Sequence, residues 1–514
     1  MQTRLFTVLT TIYLILSASF SNSPSSLIAQ AQPIGDEVIV NTYTQGFQAS
    51  QDVAIDGNGN YVIVWSSLDN IGNHNGIFAQ RYSSEGNMIG GEFRVNTTAI
   101  DTLLQPMVDM NTQGDFAIVW QSRPNSNSGS GNIYLRRYSA DGVAIDTEDV
   151  LVNTSILSEY SLPDVAIHDD GALAVVWGGE FASPTSDIYM KLYQPDGTPS
   201  TGSEIIVNTY TNEEQTSPRV AFTLSGSAIV VWEGQKTDQN GNQLNREIFM
   251  RRFANDGTPI DNSDIPVNTI IEEDQRRPSL AVNDDGTFIV AWEGEREAAP
   301  GKDIYYRRFA ADAAPLDNDD VMVSMASSGT NITSSVESDG NGNYIITWSG
   351  LSGVEAGQFR FDIYMRRYEA AGTALDSAAV MVNTMSDSLW CFFQSIDMTD
   401  NGDFIVSWYK DQDGGGFNVF ARLYKNTNTS LKPTLSDNSD IKVFPNPASE
   451  TLTVEGVGEY VQVYTMTGQL VLAHKSQSNM DTATIDVSRL PSGMYLVISR
   501  DRIGKVRHAR LLVE

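Results

Sequence analysis

The stretch Ser279-Leu-Ala-Val-Asn-Asp-Asp-Gly-Thr-Phe-Ile-Val-Ala-Trp292 decides the fold. A short apolar segment runs into Asn-Asp-Asp-Gly, and a second apolar run ends in Trp. Apolar, β-branched runs bounded by Asn, Asp and Gly read as strands. Gly286 stands where a tight hairpin needs a positive φ. Further on, Ile304-Tyr-Tyr-Arg-Arg-Phe309 reads as a third strand and Val321-Met-Val-Ser324 as a fourth. The phrase recurs along the chain. Trp65, Trp120, Trp177, Trp232, Trp292, Trp348 and Trp408 follow one another at a near-constant interval, each six positions after a Gly. Residues 36–424 show no sustained helical period.

The spacings separate fixed connections from free ones. The Val of Val-Asn-Thr stands at Val40, Val95, Val152, Val207, Val267, Val323 and Val382. The step from it to the next Trp is identical in the first six copies, as from Val40 to Trp65, and one position longer in the last, from Val382 to Trp408. The step from the last aromatic of the third strand to the next such Val is just as regular. It is the same five times, as from Phe309 to Val323, and one position shorter from Tyr82 to Val95. Only the step from Trp to the third strand varies freely, as a tolerant surface loop does. Seven four-stranded units of this length predict an all-β chain whose main domain is a seven-bladed β-propeller. A string of separate small sandwiches is disfavoured, because a unit of about 56 residues makes a poor core alone. The ends agree with a ring. Val38–Thr42 is a fourth strand with no first three before it, and the last copy stops after Val419–Tyr424 without a fourth. The two are expected to pair and so remove two open sheet edges.

Acidic residues outnumber basic ones by 31. Residues 1–31 carry one net positive charge (Arg4) and residues 441–514 another, so the segment between holds −33. Such a surface repels nucleic acid and anionic lipid. Residues 1–31 read as a secretory signal peptide: Arg4, the apolar Leu5 to Phe20, then Ala29-Gln30-Ala31 as a cleavage site. The apolar run from Leu5 to Phe20 is short for a membrane span, and no other segment is longer, so no transmembrane segment is expected in the mature chain. Cys391 is the single cysteine, which excludes an intrachain disulfide. The four histidines are scattered. No cofactor is expected. Asp56-Gly-Asn-Gly-Asn60 and Asp339-Gly-Asn-Gly-Asn343 are the candidates for a calcium ion, yet they lack the full ligand pattern, and hairpin-turn chemistry accounts for them.

The third strands carry repeated cations, as in Arg136-Arg137-Tyr138, Arg251-Arg252-Phe253 and Arg366-Arg367-Tyr368. A group present in nearly every copy belongs to the scaffold: pairing between blades with Asp or Glu, and stacking on aromatics. The repeated phrase is similar to repeats of many secreted bacterial proteins and resembles NHL-type propellers in its strand rhythm. It does not match the Asp-box of sialidases. That resemblance implies a fold and no activity.

Function is expected where copies differ. With the first strand innermost, as the NHL-like rhythm implies, the strand two–three and four–one loops share one face, which carries most of the length variation. There Leu389-Trp390-Cys391-Phe392-Phe393 replaces polar residues such as Glu273-Asp-Gln-Arg-Arg277. Trp390, Phe392, Phe393 and Tyr409 are the candidate binding residues, either as a ligand patch or as a plug on the channel mouth. Glu233 and Glu293 follow Trp in adjacent copies, where the other copies carry Ser66, Gln121, Gly178, Ser349 and Tyr409. They are the candidate carboxylate pair for a glycosidase-like reaction. No G-x-S-x-G, H-E-x-x-H or phosphate loop occurs. A non-catalytic module binding a glycan or a protein is the leading expectation. An extracellular hydrolase and a purely structural surface protein are the alternatives.

After Tyr424 the pattern stops. Residues 32–424 are the expected propeller and 425–440 a polar linker. Residues 441–514 then carry Val443-Phe-Pro-Asn-Pro-Ala448, Leu452-Thr-Val454, Val461-Gln-Val-Tyr-Thr-Met-Thr-Gly-Gln-Leu-Val471, Ile485-Asp-Val-Ser-Arg-Leu-Pro-Ser-Gly-Met-Tyr-Leu-Val497 and Val506-Arg-His-Ala-Arg-Leu-Leu-Val513. The spacing predicts a small antiparallel sandwich with a Thr467-Gly468 hairpin and turns at Pro445 and Gly493. In order and spacing these anchors closely resemble the type A C-terminal sorting domain of the type IX secretion system. The resemblance implies a Bacteroidota-type host, passage to the periplasm, and export across the outer membrane by that machinery. It further implies removal of the tail, with the cargo anchored at the surface or released.

Overall fold

In the computed structural model every helix or strand among the described residues is a β-strand. The described residues are 31–426 and 442–513, without 69–74, 98–101, 124–130, 155–161, 180–184, 238–239, 241, 296–300, 325–328, 356–357, 385–389, 413–415, 456–459, 466–469, 476–481, 492 and 501–505. The signal peptide up to residue 30, linker residues 427–440, Leu389 and the Thr467-Gly468 turn lie outside them. Contacts divide the chain into two units, Met1–Asn428 and Thr429–Glu514.

In the first unit, Gln275–Val282, Phe288–Glu295, Lys302–Phe309 and Val321–Met322 pair antiparallel in chain order. Seven blades, numbered in chain order, make up the unit among the described residues, five as separate four-stranded sheets and the first and last joined in one nine-stranded sheet where Phe47 meets Phe417. Each hairpin Gly, from Gly59 to Gly402, has a φ between 77° and 95°, which a side chain would strain. The first strands are Phe47–Ile55, Thr102–Met110, Asp164–Ile167, Gln215–Phe222, Gln275–Val282, Asn331–Ser338 and Cys391–Met398, and each lies beside the next. They are the innermost strands. The last blade takes its outer strand from the N-terminal segment: Ala31 faces Asn426, Val38 faces Ala421 and Ile39 faces Phe420. Ala31, expected from sequence to end the signal peptide, is 2% exposed inside this blade.

The seven repeated tryptophans are buried. Each packs in a cluster shared with the preceding blade. Trp120 meets Val62 and Val64, Trp232 meets Ile188 and Met190, and Trp65 meets Ile405 and Val419 across the ring closure. A side chain of this kind buries about 150–250 Å², worth roughly 4–6 kcal/mol at about 25 cal/mol per Å².

Polar contacts repeat as regularly. The Asn of Val-Asn-Thr accepts the N–H that opens the third strand, as Asn208 does from Ile188 and Asn41 from Val419, both at 2.7 Å. The following Thr N–H donates to an acid of the next blade. Thr97 reaches Asp149 at 2.9 Å, Thr209 reaches Asp264 at 2.8 Å and Thr384 reaches Glu37 at 2.9 Å. The repeated arginines correct one expectation. Between blades they donate to backbone carbonyls rather than to carboxylates: Arg251 to Val207 at 2.8 Å and Arg252 to Ala311 at 2.7 Å. The carboxylate partner is in the same blade, as in Arg252–Asp261 at 2.6 Å and Arg367–Asp376 at 2.6 Å. Stacking is as expected, with Arg251 5.4 Å from the Phe253 ring centre. The guanidinium fork serves both partners at once, which a lysine cannot do.

In the second unit, Lys442–Phe444, Thr451–Glu455 and Thr482–Asp486 form one antiparallel sheet. Leu470–Lys475, Tyr460–Thr465, Gly493–Arg500 and Val506–Val513 form another. Leu452, Val454, Ile485, Val461, Val497 and Leu511 share one core between them.

Candidate binding face and channel mouth

Six of the seven innermost strands are broken near their start by a bulge, and at each break, as just ahead of the third-blade strand, a residue other than Gly holds a positive φ. These are Ser50, Gln105, Leu162, Ser217, Arg277, Thr333 and Phe393, at 41° to 53°. The sequence reading began the template strand at Ser279, whereas the strand starts at Gln275 and carries the Arg277-Pro278 bulge within it. A two-residue strand period cannot reveal such a break. The available signal was a Pro after the bulge residue in four copies, at Pro106, Pro163, Pro218 and Pro278. In two others a Gln stitches neighbouring blades. Gln394 donates to the Thr333 carbonyl, and Gln51 donates to that of Phe393.

These seven positive-φ residues line the mouth of the central channel, a cavity of about 380 Å³, on the face of the two variable loops. Glu233 and Glu293 buttress this mouth. Glu233 accepts the Arg277 N–H at 3.2 Å and pairs with Arg246 at 2.9 Å. Glu293 accepts the Thr333 N–H at 2.8 Å, pairs with Lys302 at 2.7 Å and lies 3.5 Å from the Arg277 guanidinium. The two acids therefore meet around Arg277. Both are buried, at 3% and 1% exposure. Burial pushes Glu233 above the usual carboxylate range, against the opposing pull of Arg246.

The four aromatic candidates gather on the last blade and divide in two. Phe393 and Tyr409 line the mouth; their rings lie nearly parallel, 5.7 Å apart at 18°. Arg277 sits 5.9 Å from the Phe393 ring centre. Trp390 and Phe392 lie outside the mouth lining. Trp390 stacks on Phe417 at 12° and donates Nε1–H to the Phe359 carbonyl at 3.0 Å. Phe392 is half-buried, 4.8 Å from Phe361. Trp390 and Phe393 are 39% and 44% exposed, so neither is a sealed plug. The long sixth-blade hairpin Tyr344–Glu355 with Gln358–Tyr368 carries Phe359 and Phe361 to them.

Below the mouth the channel holds acids that sequence reasoning missed. Asp52 and Asp164 accept the N–H groups of Val108 and Val220 in the next blade, both at 2.8 Å. Asp109 and Asp397 do the same one step deeper, for Ile167 at 2.8 Å and Ile55 at 2.6 Å. These N–H groups sit on strand edges open to the channel, where a carboxylate is a strong acceptor. Glu337 shares this space, and Arg219 is the one cation in the lining among the described residues. Burial, with repulsion among the acids, pushes Asp109 up to about 7 and Asp164 up to about 6. Asp52, Glu337 and Asp397 are raised for the same leading reason.

At the calcium candidates, the Asp56 and Asp339 carboxylates accept the N–H groups of their own turns, Asp56 from Asn58 and Asn60 at 2.8 Å. Among the described residues no group of three His, Cys, Asp or Glu side chains is disposed to hold a metal ion.

Residues 442–513 match the secretion system C-terminal sorting domain. The second unit is thus a type IX sorting domain, and the chain is secreted cargo. No helix among the described residues is long and apolar enough to cross a membrane. No curated protein matches the chain. Solved structures do, at the level of fold. A Dyadobacter fermentans protein of unknown function has 10% identity and a TM-score of 0.46, covering 77% of this chain and 99% of that one. The β-propeller domain of the Trilobed protease from Pyrococcus furiosus gives 10%, 0.45, 77% and 99%. A Penicillium chrysogenum α-L-arabinanase complexed with arabinobiose gives 12%, 0.43, 77% and 99%.

Proposed function

We propose that the chain is a non-catalytic binding module displayed on the cell surface or released, delivered through a signal peptide and the type IX route of a Bacteroidota-type host. Its ligand is an extracellular glycan or protein. One observation carries the reading: Trp390 and Phe393 stay half-exposed beside a formed channel mouth, in the blade where the repeat departs most from its siblings. Large aromatics held exposed next to a cavity are the usual anchors of recognition. The rim acids favour binding over hydrolysis. Glu233 and Glu293 each face a cation and a bulge N–H, so neither is free to serve a substrate. The test is binding of the secreted chain to host-surface and extracellular glycans and proteins, with Trp390→Ala and Glu233→Gln as variants. The reading expects binding to fall with the first. Glycoside hydrolysis lost in the second, with folding intact, would restore the hydrolase alternative.

A further inference from the structure

We propose that the channel mouth takes the terminal unit of a neutral saccharide, entering end on; this rests on the binding reading of the same face. The mouth's size, about 380 Å³, is near the lower end of the about 300–1,000 Å³ typical of small-molecule sites. Hydroxyl and amide side chains make up much of its wall, among them Gln105, Ser217, Thr333 and Ser334. The parallel Phe393 and Tyr409 rings make another part. A sugar ring presents the same two characters, a hydroxyl rim and apolar C–H faces.

Charge narrows the class. A uronate, sialate, sulfate or phosphate in the mouth faces Asp52 and Asp164, with Asp109, Glu337 and Asp397 beneath them. An ammonium meets the Arg219 guanidinium at the lip. The Arg277 guanidinium is already engaged with Glu293 and the Phe393 ring, so it offers no free cation to an anion. A neutral polyol with an apolar face is the class that meets no opposing charge. Depth sets the mode. The channel below holds less space, about 240 Å³, and its walls are tied by the carboxylate-to-N–H bonds between blades. One end unit fills the mouth, and the rest continues outward over Trp390.

The test uses the secreted chain and a panel of neutral methyl glycosides, their oligomers and matched uronates, read by saturation-transfer NMR and calorimetry. At least one neutral glycoside is expected to bind, with its matched uronate about tenfold weaker. Gln105→Leu, which removes an amide and keeps the volume, and Phe393→Ala should each weaken binding about tenfold with unchanged thermal unfolding. Trp390→Ala should weaken the oligomer more than the monosaccharide. Should Gln105→Leu perturb folding, Ser334→Ala is read in its place. No binding by any neutral glycoside at about 10 mM, or tighter binding of the uronate, overturns the proposal. A protein or glycan ligand sensitive to Trp390→Ala but indifferent to the mouth variants overturns it too, and leaves the binding-module reading standing. Loss of every ligand response, including that to Trp390→Ala, removes both.

Discussion

At the scale of the residue, equivalent positions do not have equal surroundings. Trp232 donates its indole N–H to Gln215 Oε1 at 3.0 Å, whereas the Trp177 Nε1 has no partner among the described residues. Both indoles are fully buried. Trp232→Phe leaves a buried amide oxygen without its donor, a cost of about 1–3 kcal/mol; Trp177→Phe removes an unmet donor. Chemical denaturation should find the first variant less stable than the second by about that amount. The tryptophans were legible because strand packing obliges a large apolar residue at one repeated place. The channel acids were not. Asp52, Asp109, Asp164, Glu337 and Asp397 lie in five blades and occupy two different positions along the inner strand. No local pattern joins them; only ring closure does.

At the scale of the element, the bulges and the closing strand set the site and the ring. Glu37, on the N-terminal segment, accepts the Thr384 N–H and pairs with Lys410, which is 7% exposed. Glu92 plays the same part towards Thr42 alone, at 2.7 Å in an exposed setting. Glu37→Gln strips the counter-charge from a buried ammonium and should cost about 3–5 kcal/mol. Glu92→Gln should cost under about 1 kcal/mol, and thermal unfolding of the pair reads the difference. The closing strand was legible from counting strands. The bulges were not, because six broken inner strands still look like short strands that begin late.

At the scale of the whole molecule, an acidic chain encloses an acidic channel. Asp109 and Asp164 have folded values, about 7 and about 6, above the ordinary 3.8. Such groups favour the folded state fully below the ordinary value. That contribution is lost as pH rises through the folded values, by about 1.4 kcal/mol for each tenfold fall in proton concentration between the two. The melting temperature should therefore fall between about pH 4 and pH 7. Asp109→Asn should start lower, having lost one of the two acceptor oxygens used by Ile167 and Met110, yet fall less steeply. A melting temperature that rises through this window contradicts the channel assignment. Removing residues 442–513 should hold an otherwise folded propeller inside the outer membrane, seen by fractionation. That tail was the most legible part of the chain's biology, since its anchors are local in sequence. The ligand was the least legible, since its site is assembled from all seven blades.

The strand exchange that finishes the last blade also has a meaning in time. Residues 31–39 are made before any of the seven blades, and their partners at 420–426 emerge only when the last blade is complete. Throughout synthesis the nascent polypeptide therefore has no way to shut its circle, and its late blades wait for an early segment that must be kept unspent. Commitment to the closed ring is thus delayed by the topology itself until almost the entire propeller has been made.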